Sequence, residues 1–257
     1  MKGLISAIRT LTIIPVPGKE SENLSSSLPW FPIVGLLLGL ILLGISQIWT
    51  RLFPIDWPRG AATVLLAAEI FLTGGLHLDG LADWADAFGS RQTREKRLAI
   101  MKDSHLGTFG VLALILALLI KWVAFERLFS FGSTIWLLPV FVISRGMMAE
   151  LISTLPYART GEGMARAFVK GVSPKNRIWS HTITLCLCLY LGPSGLALVG
   201  VGWMITRLLG IYYRRGFGGI TGDLLGTTNE IVEIMLLMIC ALPGEFILRY
   251  RGWSWLF

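Results

Sequence analysis

Residues 60–86 read GAATVLLAAEIFLTGGLHLDGLADWAD. An apolar run of nearly membrane-spanning length ends at a glycine pair and passes directly into three aspartates. On an α-helix Asp79, Asp83 and Asp86 fall at roughly 0°, 40° and 340° around the axis, so their carboxylates share one narrow stripe. Carboxylates this close repel one another, and the arrangement is tolerable mainly when a cation neutralises it. Oxygen donors with no cysteine nearby select a hard ion, Mg2+ or Mn2+, over zinc. The competing reading is a solvated helix start whose acids complement the dipole. It explains neither the spacing nor the flanking glycines.

Outward from this stretch the whole chain is apolar. Hydrophobic residues make up 54% of 257 positions, charged residues only 15%, and the mean hydropathy is +0.66. Soluble domains do not have this composition, and an all-α, polytopic integral membrane bundle does. Segments of spanning character lie at 30–49, 60–78, 108–129, 134–153, 178–191, 195–213 and 230–242, about seven in all, with the fifth and seventh short. Residues 1–28 are expected to form an interfacial helix and linker, and 29–257 the bundle, together one membrane-embedded catalytic domain. Leu4, Ile5, Ile8, Leu11 and Ile14 give the N-terminal segment an amphipathic face closed by Pro15 and Pro17, and no cleavable signal is expected.

Most of the 23 basic residues cluster at 2–19, 91–102, 159–177 and 207–215. Seven alternating spans put all four clusters on one side, which the positive-inside rule makes the cytoplasm, with the N-terminus and the acidic site facing it. Arg249 and Arg251 then fall outside, against the rule. The net charge of +7 is spread over short loops and forms no long basic face, so lipid headgroups and phosphate-bearing substrates are expected as partners, and nucleic acid is not. Cys186, Cys188 and Cys240 read as small apolar residues with no disulfide.

Two further stretches belong with the aspartates. RLAIMKDSHLGTFG, residues 97–110, offers Arg97, Lys102, Asp103 and His105 ahead of a glycine-punctuated helix start, which suits an anion such as a diphosphate. GGITGDLLGTTNEIVE, residues 218–233, holds Asp223 in a glycine-rich turn, with Glu230 and Glu233 at the start of the last span as a second metal position or a hold on the polar substrate. Glu69, Arg145 and Glu150 also sit inside apolar segments, and His77 precedes the aspartates by two residues.

GGLHLDGLADWADAFGS (74–90), REKRLAIMKDSHLGTFGV (94–111), SRGMMAELISTLPYARTGEGMARAF (144–168) and GGITGDLLGTTNEIVE (218–233) resemble, in order, the signatures of the cobalamin synthase family, the adenosylcobinamide-GDP ribazoletransferases. The resemblance runs over essentially the whole chain; Trp84 and Ala87 stand where a small polar residue and a glycine are expected. It implies a bacterial or archaeal inner-membrane, Mg2+-dependent enzyme. Such an enzyme joins adenosylcobinamide-GDP to α-ribazole or its 5′-phosphate, releasing GMP and giving adenosylcobalamin or its phosphate. Carried onto this chain, Asp79, Asp83 and Asp86 are the expected metal ligands. Asp86 or Asp103 is the expected proton acceptor, with Lys102 also catalytic. Arg94, Arg97, His77, His105, Asp223, Glu230 and Glu233 are expected around the substrate. Assembly is left open, as a homo-oligomer or as a complex with pathway enzymes. Two alternatives stand beside this reading. A CDP-alcohol phosphotransferase also uses spaced aspartates, but calls for an arginine soon after Ala82, where Asp83 stands. A multi-span transporter is the other, although the charged motifs gather at one membrane face.

Overall fold

A computed structural model describes residues 1–53, 57–89, 92–161 and 163–243. Arg91, Arg249 and Arg251, used above to weigh topology, lie outside the described residues. The chain forms helices α1 (Lys2–Leu11), α2 (Phe31–Leu52), α3 (Pro58–Thr73), α4 (Leu76–Gly89), α5 (Arg94–Ile100), α6 (Thr108–Ser130), α7 (Leu137–Thr154), α8 (Met164–Lys170), α9 (Pro174–Leu189), α10 (Gly192–Gly216) and α11 (Gly222–Ala241). No β-strand occurs among the described residues; a single parallel bridge joins Tyr157 to Ile220.

The helix expected through 60–78 does not run straight. Gly74 and Gly75 have φ of +61° and +68°, a left-handed pair that side-chain-bearing residues rarely adopt. The Gly75 N–H reaches back to the Ile70 carbonyl at 3.1 Å, closing α3 with a Schellman-type bond, and α4 departs at 88° to α3. The acidic helix therefore begins as a new element, crossing the end of the bundle.

α7 is the central helix and is buried along nearly its whole length. Gly35 and Gly39, a G-x-x-x-G pair on α2, bring that helix against the α7 backbone: a Cβ at Gly35 would sit 2.2 Å from the Phe141 carbonyl oxygen. α6 turns Leu112, Ile115, Leu116, Leu119 and Val123 outward, an exposed apolar flank that a bilayer covers and water does not.

Among the described residues, five stretches of helix are long and apolar enough to cross a membrane: 24–52, α6, α7, α10 and α11; the bent α3–α4 pair makes a sixth if it counts as one span. The expected seven is not reached. α9, the fifth segment expected, has 16 residues, as α3 does, and a straight crossing takes about 20. Among the described residues, α2, α3, α6, α7, α9, α10 and α11 nevertheless alternate in direction. Arg177 and His181 at the start of α9 meet Glu150 near the end of α7, while at the opposite end Ser46 of α2 meets Thr134 and Arg127 of α6 meets the Ala241 carbonyl of α11. The starts of α2, α6, α9 and α11 thus gather with the ends of α7 and α10.

α1 lies across that same end. It turns Gly3, Ser6, Ala7 and Leu11 inward and leaves Leu4, Ile5 and Ile8 half-buried. It stops at Leu11, so Ile14 falls beyond the helix; the next stretch is held by the Ile13 N–H on the Leu72 carbonyl at 2.9 Å.

Candidate active site

α4 and α11 meet without side chains between them. A Cβ on Gly80 would lie 2.6 Å from the Asp223 carbonyl oxygen, and Thr227 Oγ1 donates across the junction to the Gly80 carbonyl at 2.9 Å. This contact fixes the register of the two helices. It brings Asp223 beside the acidic stripe of α4, where Asp83 lies in the combined field of Asp223, Asp79 and Asp86. One guanidinium opposes these acids: Arg159 Nη2 donates to Asp223 Oδ2 at 2.9 Å and to the Met101 carbonyl at 3.2 Å. The loop bearing Arg159 is itself pinned, the Ala158 N–H donating to the Ile220 carbonyl and the Ile220 N–H to Pro156.

Asp79, Asp223 and Arg159 line an open cleft. Helices α1, α2, α4, α7, α8 and α11 contribute its walls. His77, 2% exposed, also lines it, and its Nε2 has no partner among the described residues.

Asp86, expected with Asp79 and Asp83 as a metal ligand and as a proton acceptor, has a different set of contacts. Its Oδ2 accepts from the Gly107 N–H and its Oδ1 from the Gly110 N–H, each at 2.8 Å. It therefore caps the amino end of α6 from another helix. Cβ atoms at Gly107 and Gly110 would lie 2.4 and 2.5 Å from this carboxylate, so the glycines of the second block make room for it.

The rest of that block sits at the rim, outside the cleft lining. Asp103 and His105 are exposed and pair with each other, Nδ1 to Oδ1 at 2.5 Å, with the His105 N–H adding a bond at 3.1 Å. Those bonds from His105 hold Asp103 below the usual carboxylate range, and Asp103 raises His105 in return. Lys102 is exposed and directly follows the residue whose carbonyl Arg159 grips. Arg94 donates to the Ala158 carbonyl at 3.1 Å, tying α5 to the Arg159 loop, and Arg97 lies alongside Gly216 at the end of α10.

Glu230 and Glu233 are not brought to the cleft. They follow Asp223 by seven and ten residues on α11, about 10 and 15 Å deeper. There Lys121 Nζ sits among three carboxylates, 2.5 Å from Glu69, 2.7 Å from Glu230 and 2.6 Å from Glu233, and Arg145 pairs with Glu233. Those three acids have the spacing of a metal site, but an internal ammonium already neutralises it. Glu150, a further acid inside a span, is gripped by Arg177 and His181.

Sequence reading missed two residues. In sequence Arg159 is one of several loop arginines, and its place beside Asp223 depends on a bridge between distant segments. Lys121 lay in plain view, a lone lysine inside the apolar run 108–129, and its charge was the available signal. Trp84, unexpected in the first block, packs with Phe88 and edge-on against Tyr212.

Fold and site together define an all-α polytopic membrane protein with an acid-lined cleft at one end of its bundle. The chain belongs to the cobalamin-5-phosphate synthase family, whose model matches residues 3–241. Among similar proteins, the adenosylcobinamide-GDP ribazoletransferase of Chlorobium phaeobacteroides (strain BS1) is 40% identical over 92% of this chain and 96% of its own length. The protein of the same name from Ralstonia pickettii (strain 12J) is 35% identical over 92% and 93%. No solved structure matches the chain.

Proposed function

We propose that this chain transfers the cobinamide-phosphate group of adenosylcobinamide-GDP to α-ribazole or α-ribazole 5′-phosphate, in the late nucleotide-loop step of vitamin B12 assembly. GMP leaves, and adenosylcobalamin or its 5′-phosphate forms. Family membership supports the reaction, and the α4–α11 junction supports the location: it carries Asp79 and Asp83 beside Asp223, opposite Arg159.

A donor set of carboxylates, with one arginine among them and no cysteine, suits Mg2+. Asp79, Asp83 and Asp223, whose carboxylates do not stand at metal-ligand spacing from one another without it, would hold it. When bound, the ion neutralises charge on the diphosphate oxygens. Arg159 orients a phosphate oxygen in the same cleft, and Lys102 and Arg97 at the rim stabilise the departing GMP. The ribazole 3′-hydroxyl oxygen bonds to the phosphorus attached to cobinamide as the bond from that phosphorus to GMP breaks. Its proton passes to a cleft carboxylate. In this reading Asp86 serves chemistry indirectly, by fixing α6 and the rim block against α4.

The whole of 1–257 acts as one catalytic domain in a bacterial or archaeal cytoplasmic membrane, with its N-terminus and cleft facing the cytoplasm. The basic residues around the cleft end, Arg94, Arg159, Arg166, Arg177 and Arg214, support that orientation. The test is incubation of detergent-purified protein with adenosylcobinamide-GDP, α-ribazole 5′-phosphate and Mg2+, with and without chelator. Equal amounts of GMP and the new corrinoid, formed only with metal, are expected; absence of GMP with metal present contradicts the proposal.

A further inference from the structure

The cleft lining joins two kinds of chemistry. Besides Asp79, Asp223 and Arg159, it has an apolar wall made by Phe31, Met148, Ile152, Phe168 and Leu225, each at most 5% exposed yet each lining the space. The Phe31 and Phe168 rings meet edge-on with centroids 5.9 Å apart. Thr10 also lines the cleft, but its hydroxyl is already donated to the Ser6 carbonyl at 2.7 Å. The polar groups left for a ligand are few; the lining includes His77, whose Nε2 has no partner among the described residues, and Tyr157.

We propose that this apolar wall seats the aromatic base of the acceptor nucleoside, with its ribose hydroxyls toward Asp79 and Asp223 and with Met148 and Ile152 setting the width of base admitted. The inference rests on the proposed transfer reaction and adds to it the place and selectivity of one substrate. Four flat groups take part in that reaction, and the wall discriminates among them; the adenine of the adenosyl group, like guanine, has an amino group and ring-nitrogen acceptors that hydrocarbon leaves unpaired. Guanine carries an amide edge and an amino group, and burying these against hydrocarbon leaves donors and acceptors unpaired at about 1–3 kcal/mol each. The corrin ring, rimmed with amide side chains, meets the same objection as guanine against this wall. The benzimidazole of ribazole has one free ring-nitrogen acceptor and otherwise apolar faces and edges, which matches a wall of phenyl, thioether and alkyl groups with a single imidazole beside it. A base seated there carries its ribose toward Asp79 and Asp223, where the attacking hydroxyl is required.

The experiment compares kcat/KM for two acceptors, the 5′-phosphates of dimethylbenzimidazole riboside and unsubstituted benzimidazole riboside, in the wild-type protein and in Met148→Phe and Met148→Ala. Met148→Phe narrows the seat and is expected to lower the larger-to-smaller preference by about tenfold, while Met148→Ala shifts it the other way. The KM for adenosylcobinamide-GDP stays constant in both. Ile152→Val is the milder second variant should either Met148 variant fail to fold, and it is expected to shift the preference in the Met148→Ala direction. A preference unchanged in the folded variants, or a change confined to KM for adenosylcobinamide-GDP, overturns the inference while leaving the reaction intact. A wild-type protein inactive with both acceptors overturns the transfer reaction itself, and the inference with it.

Discussion

Gly80 and Asp223 touch backbone to backbone: the hydrogen that Gly80 carries in place of a Cβ leaves room for the Asp223 carbonyl, which a methyl would approach to 2.6 Å. Everything proposed for the site depends on this contact, because it sets the acids of α4 beside that of α11. Backbone on one side and backbone on the other leave no flexible side chain to absorb an addition.

Gly80→Ala is therefore expected to separate the two helices and disturb the site more than the fold. Overpacking of this kind costs about 1–3 kcal/mol, whereas a displacement near 1 Å at reacting groups lowers turnover by about 100-fold. Thermal melting in detergent alongside GMP release checks both; wild-type turnover in Gly80→Ala would show that the junction does not set the site.

Asp83→Asn and Asp86→Ala are expected to fail in different ways. Asp83→Asn keeps the melting temperature and loses Mg2+-dependent GMP release. Asp86→Ala removes both acceptors at the start of α6 and is expected to destabilise by about 1 kcal/mol, the usual cost of a lost cap. A melting temperature unchanged in Asp86→Ala would contradict the capping role.

Lys121→Met leaves Glu69, Glu230 and Glu233 buried around an uncharged side chain. Removing one partner from a buried ion cluster typically costs about 3–5 kcal/mol. Loss of folded protein is expected for the single variant, with recovery when Glu69→Gln and Glu230→Gln are added to it. Failure of the triple variant to recover would show that Lys121 matters through packing and not through charge.

At the rim, the Asp103–His105 pair gives a titration signature. Asp103 raises the His105 pKa above its ordinary value, so His105 stays protonated to higher pH than an isolated imidazole. Asp103→Asn is expected to bring that pKa back down, read by NMR of the ring protons; an unshifted His105 titration would contradict the pairing.

The acidic helix, the amphipathic N-terminus and the long spans were legible because each is written in local periodicity. The right-angle turn at Gly74–Gly75 was not: the glycine pair was visible, but apolar residues on both sides sustain a helical pattern, and only the left-handed dihedrals end it. Helical geometry put Asp79, Asp83 and Asp86 on one stripe, yet shared direction does not decide partners. Gly107 and Gly110, more than 20 residues away, claim the Asp86 carboxylate, while Asp223 joins the other two from the far end of the chain. Glu230 and Glu233 read correctly as costly acids in a span, but their neutralising partner comes from α6, which periodicity on α11 cannot reveal.

The central claim is that Asp79, Asp83 and Asp223, without Asp86, make the cation site. Electron paramagnetic resonance of Mn2+ titrated into wild-type, Asp223→Asn and Asp86→Asn proteins tests it most directly. Loss of the bound-Mn2+ signal in Asp223→Asn and its retention in Asp86→Asn is the predicted result. Retention in Asp223→Asn with loss in Asp86→Asn would contradict the account.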